Sequence, residues 1–116
     1  MECRPLKNGA RIVFTDVDGT LLDAEHRPIP ASASAIARLG ERGIPFVLVS
    51  ARMPEALTPI QRTLRFSGPL VCYSGAYATD ERGVELLSRP MPIELALKAS
   101  RIVAERASDV CCMAYG

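Results

Sequence analysis

Two aspartates two residues apart, Asp16 and Asp18, stand directly behind the apolar run Ile12-Val13-Phe14, and Gly19 and Thr20 follow them. That order puts two carboxylates and a hydroxyl at the carboxyl end of a buried strand, where open α/β sheets bind ligands. Side chains alternate along extended backbone, so Asp16 and Asp18 can lean toward one site. Carboxylates so close repel each other. A divalent cation would neutralise them, and protonation of one would split them into an acid and a base. Gly19 releases the backbone for a tight exit, and Thr20 can tie the turn with its hydroxyl. A lone Asp-Gly would mark only a strand ending in a turn; the whole pentad behind an apolar run argues for chemistry.

The strand that positions the pair belongs to a repeating pattern. Ile12 to Thr15, Phe46 to Ser50 and Leu70 to Tyr73 are apolar runs of strand length flanked by Gly and Pro, as expected of buried parallel strands. Between the first two, Ala31 to Arg42 carries Ala35, Ile36 and Leu39 at helical spacing, with Gly43 to cap the end. Between the second and third, Pro54 to Leu64 sets Leu57, Ile60 and Leu64 on one helical face, with Pro54 acceptable in a first turn. Strand, helix, strand, helix, strand makes two right-handed crossovers, so the segments after all three strands converge on one sheet edge. The second strand is followed by Ser50-Ala51-Arg52 and the third by Ser74-Gly75-Ala76. A serine hydroxyl donates one placed hydrogen bond, and arginine supplies a fixed fork suited to phosphate. Taken alone, Ser50 reads as a helix cap and Arg52 as a surface charge. Their place one crossover after the aspartates favours the phosphate reading.

With these motifs the chain resembles the haloacid dehalogenase (HAD) superfamily of phosphotransferases, whose first motif is an apolar strand followed by Asp-x-Asp-x-Thr. Within it the chain is similar to the cap-bearing Cof-type (class IIB) branch. The resemblance implies that Asp16 attacks phosphorus and becomes a transient aspartyl phosphate. It implies that Asp18 protonates the leaving oxygen and then activates water, a coherent division because a carboxylate nucleophile splits one hard displacement into two easier ones. By the same resemblance Mg²⁺ is the cofactor, with Asp16 and Asp18 as its ligands, and Thr20, Ser50, Arg52, Ser74 and Gly75 face the phosphoryl group and substrate. Many members read Thr-Gly-Arg where this chain has Ser50-Ala51-Arg52, and Asn-Gly-Ala where it has Ser74-Gly75-Ala76. Serine lacks the reach of the amide and its paired donor and acceptor.

The implied fold is α/β: a three-layer HAD-like, Rossmann-like parallel sheet with helices on both faces, in its N-terminal part only, plus the start of an α/β cap. Tyr77 to Thr79 and Val84 to Leu87 flank Asp80-Glu81-Arg82-Gly83 as a hairpin, which the branch also has here. From Pro92, the residues Ile93, Ala96, Leu97, Val103, Ala104 and Ala107 mark one face of a helix. That helix resembles the first of the cap, and Val110 to Tyr115 its first strand. The expected division is residues 1–91 as core with hairpin and 92–116 as the beginning of the cap.

A chain of 116 residues is about one domain's worth and short for a two-domain enzyme. The family's third-motif lysine and fourth-motif acidic pair lie beyond the cap, and the lysines here, Lys7 and Lys98, stand elsewhere. The reading therefore expects a truncated N-terminal part, inactive alone. Composition, 48% apolar and 23% charged with a net charge of +1, gives no reason to invoke nucleic acid or membrane. The start lacks the apolar core of a signal peptide, so a cytoplasmic location is expected. Cys3, Cys72 and the adjacent Cys111-Cys112 form no Cys-x-x-Cys pair and read as incidental thiols. His26, between Glu25 and Arg27-Pro28, reads as a solvated turn. The function expected is a Mg²⁺-dependent phosphatase of small phosphate monoesters, such as sugar phosphates. The alternatives are a non-catalytic module that completes its fold with another chain, and a phosphomutase using the same aspartates. An unpaired sheet edge or residues 93–115 would carry any self-association.

Overall fold

The computed structural model describes residues 11–114, so that Cys3, Lys7 and Tyr115 lie outside it. Three parallel strands come first: β1 (Val13–Asp16), β2 (Phe46–Val49) and β3 (Leu70–Cys72), joined through helices α1 (Pro30–Glu41) and α2 (Pro54–Thr63). An antiparallel hairpin, β4 (Tyr77–Thr79) and β5 (Glu85–Ser88), then extends the sheet, giving the strand order β1-β2-β3-β4-β5. Helix α3 (Ile93–Arg106) follows.

The core lies on one face of the sheet. Register sets Val13 beside Phe46, Thr15 beside Leu48, and Leu48 beside Leu70, so alternate residues of three strands form one apolar surface. Ile36 of α1 and Leu57 of α2, with Leu64 just beyond α2, pack on that surface with Phe46, Leu48, Leu70 and Cys72. Leu48 and Leu57 are fully buried. On the opposite face Val47 is buried, whereas its neighbour Phe14 on the edge strand remains 59% exposed. A three-layer arrangement would place its second helical layer there.

Local chemistry ends each element where the sequence indicates. After α1, Gly43 takes φ 62°, its amide donates to the Gly40 carbonyl, and the Ile44 amide donates to Leu39. This pair of bonds satisfies the last carbonyls of the helix, and a residue with φ > 0 is needed to form it. The hairpin turn is held by the Asp80 carboxylate, which accepts from the Arg82 and Val84 amides, each at 2.8 Å. At Gly68 the limit is space: a Cβ would stand 2.3 Å from the Phe46 carbonyl oxygen.

The end of the chain departs from expectation. Residues 110–114 form no strand. A strand is held by a partner's backbone, and among the described residues no strand pairs with this segment. Helix α3 buries none of its residues, and Ile93 and Leu97 of the expected apolar face are 74% and 53% exposed. Only Ala96, Ser100, Val103 and Ala107 are half-shielded. The radius of gyration is accordingly 17.2 Å, against about 13 Å for a compact domain of this length.

Candidate active site

Immediately after β1 the chain coils once. The Val17 carbonyl accepts from the amides of Thr20, Leu21 and Leu22 at 2.9–3.3 Å, and Gly19 adopts φ 76°. Val17, Leu21 and Leu22 are buried, whereas Asp16, Asp18 and Thr20 are exposed. Apolar residues thus pin the coil to the core while the polar ones face outward. Among the described residues the Thr20 hydroxyl makes no hydrogen bond. It is the Val17 carbonyl that ties the turn, a correction to the role expected of Thr20.

The loop that follows returns on itself. Asp23 Oδ1 accepts from the amides of Glu25 and Arg27, and the Ile29 amide donates to Leu21. At the loop's tip His26 takes φ 58° and brings Nδ1 to 3.5 Å from Asp18 Oδ1. His26 is solvated, as read from the sequence, but it also belongs to the site, which the sequence reading missed. No periodic signal marks it: only closure of the loop between Leu21 and Ile29 brings its tip beside Asp18.

The ends of β2 and β3 are laced together at the same edge. Ser50 is 5% exposed; its amide donates to Val71, its carbonyl accepts from the Ser74 amide at 3.1 Å, and its Oγ accepts from the Arg52 amide at 3.1 Å. Ser50 is therefore no helix cap, since α2 is preceded by Met53 and has no side-chain cap. The Tyr73 amide donates to the Arg52 carbonyl. Tyr73, Ser74 and Gly75 have successive φ values of 50°, 55° and 98°. Three left-handed residues in a row are costly for the two that are not glycine, and such strain concentrates at functional sites.

Arg52 closes the site. Its Nε donates to Asp18 Oδ2 at 2.9 Å and its second arm to Asp18 Oδ1, a two-pronged pair that brings the ends of β1 and β2 together. Hydrogen bonding from Arg52 holds the Asp18 carboxyl below the usual carboxylate range, with the Arg52 and His26 charges acting the same way and burial opposing. Asp18 in turn raises Arg52. Among the described residues the Asp16 carboxylate has no hydrogen bond or ion pair. The arrangement thus offers one open carboxylate, one carboxylate held ionised, and one guanidinium able to exchange its partner for another anion. No three acidic, histidine or cysteine side chains among the described residues gather as a complete metal site.

Residues 13–116 match the profile of the haloacid dehalogenase-like hydrolases. The chain is 32% identical over 96 residues to the pyridoxal phosphate phosphatase YbhA of Escherichia coli (strain K12), covering 82% of this chain and 35% of that protein. Among solved structures, a haloacid dehalogenase-like hydrolase from B. subtilis superposes with TM-score 0.75 at 20% identity over 82% of this chain and 33% of its own. A HAD subclass IIB sugar phosphatase superposes with TM-score 0.67 at 22% identity, over 83% and 37%. The chain therefore spans about a third of the length of these relatives. In none of the candidate helices does the length or apolarity suffice to cross a membrane, among the described residues. With its motifs on three adjacent strand ends and its profile match running from β1 onward, the chain belongs to the haloacid dehalogenase-like hydrolases.

Proposed function

We propose that this chain carries part of the active site of a Mg²⁺-dependent phosphatase acting on small phosphate monoesters. The observation that supports it is the convergence of the Asp16–Asp18 coil, Ser50-Ala51-Arg52 and Ser74-Gly75 on one edge, tied by the Arg52 fork and the Ser74–Ser50 bond. The ester class spans both a pyridoxal phosphate phosphatase and a sugar phosphatase among the relatives. Residues 92–116 are proposed as the beginning of a cap.

In this reading an Asp16 oxygen attacks phosphorus, the bond from phosphorus to the ester oxygen breaks, and Asp18 gives the departing oxygen its proton. Water then attacks the aspartyl phosphate, Asp18 takes the proton, and phosphate leaves with Asp16 restored. The fork on Asp18 uses Nε and one terminal nitrogen of Arg52, so a phosphoryl group would compete for those donors or take the remaining ones. While forked on Asp18 it favours the carboxylate, the form needed for the water step; a phosphate dianion that draws the fork away leaves Asp18 better able to hold a proton. The Ser50 hydroxyl, which accepts from Arg52, retains its own proton to donate.

The donor chemistry suits magnesium in part. Asp16 is an open oxygen ligand of the hard type that Mg²⁺ prefers, and the Asp18 backbone carbonyl is proposed as a second. When bound, the ion would offset charge on the phosphoryl oxygens. These ligands alone hold it weakly.

Hydrolysis of a generic phosphate ester by the active enzyme tests the assignment. Asp16→Asn keeps shape but removes the nucleophile, so turnover is lost with the fold intact. Turnover at the wild-type rate overturns it.

A further inference from the structure

His26 stands at the point where the Arg52 fork meets Asp18. Its Nδ1 lies 3.5 Å from Asp18 Oδ1 and 3.5 Å from the Arg52 arm that bonds the same oxygen. The loop fixes it there. Leu22 bridges to Asp18 on one side and to Pro28 on the other. The His26 amide donates to the Asp23 carbonyl at 3.0 Å, the Asp23 amide to Arg27 at 2.9 Å, and the Arg27 side chain reaches back to the Asp23 and Glu25 carboxylates. With its neighbours so committed, the tip holds His26 at φ 58°. Left-handed backbone is costly for a residue with a Cβ and persists where the surroundings over-determine it. Glycine would serve such a turn at lower cost, so the shape of the loop does not call for a ring.

What the ring does depends on the fork. In the resting arrangement both Asp18 oxygens accept from Arg52, and the imidazole at 3.5 Å lies at the outer limit of hydrogen bonding. A phosphoryl group changes that balance. Where it competes for the Arg52 donors, Asp18 loses the bonds that orient it and faces a second anion. Imidazole carries a donor on one or both nitrogens whatever its charge, so a nearby Nδ1–H can take over Oδ1 as the arginine arm withdraws. Oδ2 is then free to give and accept the proton. Without the imidazole, opening the fork leaves a bare carboxylate beside the phosphate, and anion binding weakens.

We infer that His26 is a positioning residue for the reaction: it takes the Asp18 oxygen that Arg52 releases when a phosphoryl group arrives, and so keeps the acid–base carboxyl aimed. The inference rests on the phosphate-ester reading for its occasion. Two measurements on the chain, at one fixed pH, test it. The first needs no phosphate. In Arg52→Ala, nitrogen spectra of the imidazole should show Nδ1 as a proton donor, and adding Asp18→Ala should abolish that signature; an Nδ1 signal indifferent to Asp18 overturns the inference. The second is a titration with inorganic phosphate, Mg²⁺ present, followed at the amides of residues 16–20 and 50–52. His26→Gly suits φ 58° and should keep the thermal midpoint. It should nevertheless bind phosphate about threefold more weakly, the scale of one exposed charge contact. His26→Gln restores a donor and should recover most of that loss. Wild-type affinity in His26→Gly, or equal weakening in the Gly and Gln variants, overturns the inference and leaves the phosphate-ester reading standing. A wild-type chain with no phosphate response at those amides overturns the phosphate-ester reading, and the role of His26 in the reaction with it.

Discussion

Removing the Arg52 fork has a worked consequence for Asp18. The paired side chains are 33% and 45% exposed, so solvent screens them, and exposed ion pairs contribute about 0.2–1 kcal/mol. Two-pronged geometry puts this one toward the upper end, about 1 kcal/mol at neutral pH and low salt. The His26 contact, at 3.5 Å and 69% exposed, adds little. The Asp18 carboxyl is lowered from its ordinary value of 3.8, chiefly by Arg52. A lowered folded-state value means that the contribution is complete above 3.8 and is lost as pH falls through the still lower value of the folded protein. In Arg52→Ala, the Asp18 carboxyl carbon should therefore titrate at higher pH than in the wild type. A double-mutant cycle with Asp18→Asn, followed by urea unfolding, should give coupling of about 1 kcal/mol at pH 7 that fades in strong acid and in high salt. An unmoved titration in Arg52→Ala, or coupling that grows as pH falls, refutes the reasoning.

Other positions give sharp expectations. Gly68→Ala would force a Cβ to 2.3 Å from the Phe46 carbonyl, and should cost about 1–3 kcal/mol in urea unfolding; a loss below about 0.5 kcal/mol would show that the backbone yields there. Ser74→Gly relieves a residue held at φ 55° and should raise stability by about 0.5–1 kcal/mol, the left-handed cost less glycine's extra entropy; a loss of stability contradicts it. We further propose that the sheet edge at β1, where Phe14 is 59% exposed, carries self-association. Phe14→Ser should then lower the apparent mass in light scattering across a dilution series, and a wild-type chain that stays monomeric at every concentration contradicts the proposal.

Much of the sheet and part of the site could be read from residue pattern. The three parallel strands, α1, α2 and the hairpin follow from apolar runs bounded by Gly, Pro and Asp, because each signal is local: Gly43 at its left-handed cap, Asp80 closing its turn. Convergence of the aspartates with Ser50, Arg52 and Ser74 follows from topology, since every parallel strand delivers its carboxyl end to one edge. What escaped depends on side-chain direction. That Arg52 forks Asp18, that Ser50 turns inward beneath the Arg52 amide, and that the Val17 carbonyl does the work expected of the Thr20 hydroxyl are choices among near-equal hydrogen-bond partners. His26 escaped because an isolated histidine in a polar turn carries no periodic signal, and only closure of the loop from Leu21 to Ile29 brings it to Asp18. The strand expected over 110–115 is absent over its described residues, 110–114, for a different reason, because strand propensity without a partner's backbone makes no ladder.

The most direct test of a phosphate site at the carboxyl edge is an amide-resolved titration of the chain with inorganic phosphate in the presence of Mg²⁺, run on wild type and Arg52→Ala. Saturable shifts confined to residues 16–20, 50–52 and 74–75, lost or strongly weakened in Arg52→Ala, are the predicted result. Shifts located elsewhere, or identical binding by the two proteins, would contradict the account.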